Sequence, residues 1–160
     1  MNLQMLFRSG LVACFLAATG GTALAEGQRS PSAEGAAIAF ANLADGDVVP
    51  MGYTARFTIS GMGVAPAGSA IENTGHFHLL IDLAELPPLD QPLPVSEQIV
   101  HFGKGQTETP LNLAEGPHRL QLLLADYAHV PHDPPVLSEA ITITVTVAPG
   151  TTPPVLSETV

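Results

Sequence analysis

All six histidines of this chain fall within one stretch: His76, His78, His101, His118, His129 and His132. Imidazole is the commonest protein metal ligand and the side chain that titrates nearest neutrality, so a concentrated set points to metal coordination or proton handling. His76 and His78 flank Phe77. On an extended strand, residues i and i+2 share one face ~6.5 Å apart, which lets two imidazoles aim at one point. His129-Val130-Pro131-His132 has a three-residue offset suited to a metal loop, and its proline makes it a loop pair and not a helical one.

Each histidine also has a plainer reading. A His-x-His pair can sit on a solvent-facing strand, and loop histidines can bond backbone carbonyls. His118 follows a Gly-Pro turn and can brace a hairpin, while His101 beside Phe102 can be a satisfied, half-buried ring. The surplus outweighs these readings taken one by one. All six therefore form the candidate ligand pool, and Asp82 and Asp126 are candidate outer partners that fix ring tautomers.

Ligand chemistry narrows the ion. The single cysteine, Cys14, lies in the N-terminal apolar segment, so removal of that segment leaves no thiolate. Histidine and carboxylate donors suit Zn²⁺, Cu²⁺ or Ni²⁺, and the affinity order favours copper where copper is free. Met51 and Met62, the methionines outside the N-terminal segment, are better read as packing residues than as soft ligands. The expected cofactor is a copper or zinc ion.

Catalytic templates fit poorly. The chain has no G-x-S-x-G elbow, no H-E-x-x-H and no phosphate-cradling glycine pattern. Gly103-Lys104-Gly105-Gln106-Thr107 reads as a tight bend. The functional expectation is thus a non-catalytic metal-binding protein. An envelope interaction or structural module, with the histidines in a hydrogen-bond network, is the alternative. A hydrolase or oxidoreductase using the same cluster would need an open coordination position.

The elements that must position these rings are short strands. Residues 1–25 read as a signal peptide, with Arg8 as the positive n-region, an apolar run, and Ala23-Leu24-Ala25 as the cleavage site before Glu26. A lipoprotein site at Cys14 is disfavoured because few residues separate it from Arg8. The address is periplasmic or secreted, with no stable membrane insertion, since the apolar run is too short to span a bilayer. Past Ala25 the basic residues are Arg29, Arg56, Lys104 and Arg119, against fifteen acidic ones. That balance disfavours nucleic acid and anionic membrane surfaces as partners, so none is expected, and it tolerates cations.

Residues 26–36 form a polar lead-in without expected structure, and residues 148–160 a similar tail. Residues 37–147 form the domain. Alternation is cleanest at residues 53–60 and 140–147, where Tyr, Phe, Ile and Val alternate with Thr, Ser and Arg. Further strands are expected at 37–43, 76–82, 99–102, 107–113 and 118–126, with residues 61–68 as a glycine-rich loop. About seven short strands and no sustained helical period predict an antiparallel, immunoglobulin-like β-sandwich; a barrel is the other closure.

The strings GHFHLLID (residues 75–82), HFGKGQTE (101–108) and GPHRLQL (116–122), together with Asp126, His129, His132 and Pro134-Pro135-Val136, resemble a bacterial exported family known as domain of unknown function 4399. The likeness runs from about Phe40 to Val147. It implies a periplasmic or secreted β domain and no assigned reaction. A looser similarity to extracellular modules with a G-H-x-H strand implies an immunoglobulin-type fold and nothing about function.

Overall fold

The computed structural model describes residues 29–147. The expected signal peptide at residues 1–25, Cys14 within it, and the expected tail at 148–160 lie outside them. The described residues contain nine strands and no helix: β1 (Ala37–Phe40), β2 (Val48–Pro50), β3 (Tyr53–Ser60), β4 (Gly63–Val64), β5 (Thr74–Ile81), β6 (Ile99–His101), β7 (Glu108–Leu111), β8 (Gly116–Ala125) and β9 (Ile141–Thr146). The described residues are therefore all-β. Seven of these strands answer to the seven expected from alternation.

The two additional strands, β2 and β4, are too short to leave a periodic trace. They also break the purely antiparallel expectation, because β2 pairs parallel with β9 and β4 parallel with β5. Gly63–Val64 lies inside the expected glycine-rich loop, where the Gly63 amide donates to the Asn73 carbonyl.

The strands form two sheets. One has the order β1-β3-β7; the other runs β2-β9-β8-β5-β4, with β6 also paired to β5. Phe57 of the first sheet meets Phe77 of the second and Phe102 after β6, with ring centroids 5.3 and 5.2 Å apart. Leu120, Leu122, Leu124, Ile143 and Val145 complete this inter-sheet core, each fully buried. Burial of each such side chain contributes roughly 1.5–3 kcal/mol, so this layer dominates the stability.

β5 is buried along nearly its whole length. Phe77, Leu79 and Ile81 face the inter-sheet core. Leu80, on the opposite face, joins a second cluster with Leu93, Ile99, Leu123 and Ala125. The face that also bears His76 and His78 is thus covered by protein instead of solvent. The covering chain comes from the proline-rich connection before β6 and from the segment after β8, tied together by the Leu93 amide donating to the His129 carbonyl.

Residues 29–36, the described end of the expected lead-in, lie against that same segment. Pro31 bridges Asp133, Ser32 N–H donates to Asp133 O, and the Arg29 guanidinium donates to the carbonyls of Pro131 and His132.

Candidate metal centre

Strand register assembles the first three candidate ligands. His76 and His78 share one face of β5, and the antiparallel β5–β6 pair sets His78 directly opposite His101. Opposed residues in such a pair project from the same face, so all three imidazoles converge. One ligand atom from each lies within 4.8 Å of the others. Ring centroids are 4.9 Å apart for His76–His78, 4.9 Å for His76–His101 and 5.1 Å for His78–His101.

The fourth ring arrives from the segment after β8. His129 stands 4.8 Å from His101, 5.0 Å from His76 and 6.3 Å from His78, centroid to centroid. Its backbone holds φ +68°, a left-handed conformation uncommon outside glycine. Asp126 stabilises it: one carboxylate oxygen accepts the N–H groups of Ala128 and Val130, and the His129 N–H donates to the Asp126 carbonyl. The other carboxylate oxygen accepts the Ser30 hydroxyl at 2.6 Å. Aspartate is suited to such local turns because its short side chain reaches backbone amides two and four residues on.

His76 is fully buried and His78 is 2 % exposed. Both nitrogens of His76, Nδ1 of His78 and Nε2 of His101 are buried with no hydrogen-bond partner. Buried polar groups are ordinarily paired, and each orphan costs about 1–3 kcal/mol, so a cluster of them marks a place built for something else. Burial also lowers the His76 pKa from 6.5 to about 4, helped by the neighbouring His101 and His129 and opposed by the Asp126 charge. Burial first, then His76 and His101, lowers His78 to about 3. His101 is lowered as well, again chiefly by burial. These rings are neutral near pH 7, which is the form that ligates metal.

A missing side chain makes room for His101. A Cβ on Gly103 would lie 2.6 Å from His101 Nε2, so the ring packs directly on the glycine backbone.

Two of the six histidines stand outside this group, although His132 is near enough to add to the lowering of the His76 pKa. His118 sits at the far end of β8, where Nδ1 bonds Asp82 at 2.7 Å and Nε2 bonds the Ala114 carbonyl at 2.9 Å. Asp82, at φ +52°, ends β5 and also accepts the Arg119 N–H. Asp82 therefore orients His118 and not a ring of the cluster. His132 is buried over Gly75, where an added Cβ would come within 2.9 Å of its Cε1. With Ser30, Ile71, Thr74, Asp126 and Tyr127 it lines a separate cleft of about 250 Å³.

Sequence reasoning thus reached the four clustered rings within a larger pool. It missed Gly103, whose only trace is a glycine two residues after a histidine, and it missed the brace that Ser30 and Arg29 apply to the His129 segment. The methionines stand apart: Met62 packs in the inter-sheet core and Met51 is exposed in a turn.

Residues 55–146 match the family described as Domain of unknown function (DUF4399), more than half of the chain. No curated protein and no solved structure matches the chain.

Proposed function

The chain belongs to that family, and we propose that it is a non-catalytic protein that binds one transition-metal ion, copper or zinc, through His76, His78 and His101, with His129 beside them. The observation that carries this reading is the coincidence of three converging imidazoles with buried ring nitrogens that have no other partner. Ligand nitrogens around a tetrahedral ion with bonds of 2.0–2.1 Å stand ~3.4 Å apart, so small ring rotations close the triad onto an ion. An all-imidazole donor set fits Cu²⁺ and Zn²⁺, with copper ahead on affinity.

The same proposal includes export. Arg8, the apolar run and Ala23-Leu24-Ala25 support a signal peptide cleaved after Ala25 and a periplasmic or secreted address, where metal ions reach the protein without a cytosolic thiol pool. Two facing sheets around one core support an immunoglobulin-like relationship, with the parallel β2–β9 and β4–β5 pairs as departures.

Isothermal titration of the purified protein with Cu²⁺ and with Zn²⁺ tests the reading. One ion per chain, bound tighter than micromolar, is expected, with the heat lost in His78→Ala. No saturable binding would end it and leave the envelope interaction module, with the rings as packing groups.

A further inference from the structure

Three of the clustered imidazoles stand on paired strands and the fourth does not, and this difference decides what else the centre takes. The triad rings lie 4.9 to 5.1 Å apart, centroid to centroid; His129 matches that spacing to His101 and His76, at 4.8 and 5.0 Å, and stands off only from His78, at 6.3 Å, and the grouped ligand atoms are those of His76, His78 and His101. The His129 backbone cannot easily carry its ring deeper. Its N–H is held by the Asp126 carbonyl, its carbonyl by the Leu93 amide, and the N–H groups on either side by the Asp126 carboxylate. His129 thus stands on a braced segment against His101 and His76 and apart from His78.

A tetrahedral ion on three imidazoles keeps a fourth position. Charge selects its occupant. Neutral rings leave the double charge of a divalent ion uncompensated where His76 and His78 are almost wholly buried, and a buried uncompensated charge is costly. The carboxylate whose field reaches His76 is that of Asp126, and both its oxygens are already engaged by Ala128, Val130 and Ser30. The remaining charge must therefore come from outside. His101 and His129 are only partly buried, so the approach from solvent lies on their side.

Resting on the metal reading above, we infer that the triad leaves one exchangeable coordination position for a small monoanion such as hydroxide, halide or azide, and that His129 donates a hydrogen bond to this anion instead of ligating the ion. The position is a binding site in its own right. Its selectivity is for size and single negative charge, because the position is bounded by a ring whose backbone is fixed.

Loading the purified protein with one equivalent of Cu²⁺ and titrating sodium azide tests this, read by azide-to-copper charge-transfer absorption and by electron paramagnetic resonance. A saturable azide band is expected in the natural protein. His129→Ala should still bind one Cu²⁺ per chain and should bind azide about 5- to 10-fold more weakly, the worth of one hydrogen bond, with His129→Gln recovering part of the loss. An azide band that appears only in His129→Ala would make His129 the fourth ligand and overturn the inference. Equal azide affinity in both proteins would overturn it too. Copper stoichiometry, measured before azide is added, separates these outcomes from failure of the metal reading, which would take the inference down with it.

Discussion

His78 and His101 are direct cross-strand partners on β5 and β6, with rings stacked 5.1 Å apart and inclined by 28°. Because side chains alternate with a period of two, a slip of one residue in this pairing would send His101 to the other face and dissolve the triad. The pairing is short: His78↔His101, Leu79↔Val100 and Leu80↔Ile99 are its register pairs. It is steadied by apolar contacts, since Leu80 and Ile99 share a buried cluster with Leu93 and Leu123 on the histidine face. The triad is therefore a product of β5–β6 register, and the proposed metal site depends on residues outside the triad.

Gly103 is the most sensitive of these. Its φ lies outside the left-handed region, so the backbone accepts alanine, but the new methyl would fall 2.6 Å from His101 Nε2. Gly103→Ala is expected to fold and to push the His101 ring out of the triad. Metal affinity should fall about 10- to 100-fold, as when a ligand loses its support, while the thermal midpoint without metal moves little. Isothermal titration and a thermal melt of the same sample check both halves.

The strands that carry the rings were legible in the sequence, and the convergence of the rings was not. Alternation at residues 53–60 predicts β3 to the residue, and the Thr-Ile-Val pattern predicts β9 to within a residue at each end, because each buries one face and exposes the other. β2 and β4 gave no signal, since strands of three and two residues hold no period. His76 and His78 were separable from Phe77 by alternation alone. Their burial was not foreseeable, because it depends on Leu93 and the segment after β8, which come from loops without periodicity. His118 looked like its fellows in sequence, and only the fold sends it to Asp82.

Acid should weaken the metal-free protein. His76 and His78 have their folded-state pKa lowered from 6.5 to about 4 and about 3 by burial and by neighbouring rings. The unfolded chain takes up these protons near pH 6.5 and the folded chain does not, so stability present above pH 6.5 is lost as pH falls toward 3. Each proton contributes a slope of up to about 1.4 kcal/mol per pH unit. Denaturant titrations at pH 7, 5.5 and 4.5 should show the fall, and the His76→Leu, His78→Leu double variant should flatten it. An equally steep fall in the double variant would assign the acid sensitivity to other groups.

His118 should show the opposite sign. Burial alone would lower its pKa, yet the Asp82 carboxylate and the Ala114 carbonyl outweigh burial and raise it. Acceptors face both ring nitrogens, so only the doubly protonated ring satisfies them together. A raised folded-state pKa gives stability that is fully present below pH 6.5 and disappears as pH rises through the folded value. The stability difference between the natural protein and His118→Gln is therefore expected to be largest near pH 6 and to shrink toward pH 9. Copper binding at constant pH should be unaffected by this substitution, which separates His118 from the cluster. A His118→Gln protein that loses metal would place it among the ligands instead.

Asp126 joins the N-terminal segment to the histidine cluster, and its removal should expose that coupling. Asp126→Ala deprives the Ala128 and Val130 amides and the Ser30 hydroxyl of their acceptor at once. Bonds to a charged acceptor are worth about 1.5–3 kcal/mol each, and because water can reach the amides in part once the segment loosens, a total cost of about 2–4 kcal/mol is expected. The left-handed conformation of His129 loses its support in the same step. Native-state hydrogen exchange should report this locally: the amides of Ala128 to Val130 exchange faster, while those of the β5–β8 pairing keep their order of protection. If exchange rises equally across β5 and β8, Asp126 supports the whole sheet and the His129 segment is not a separate unit.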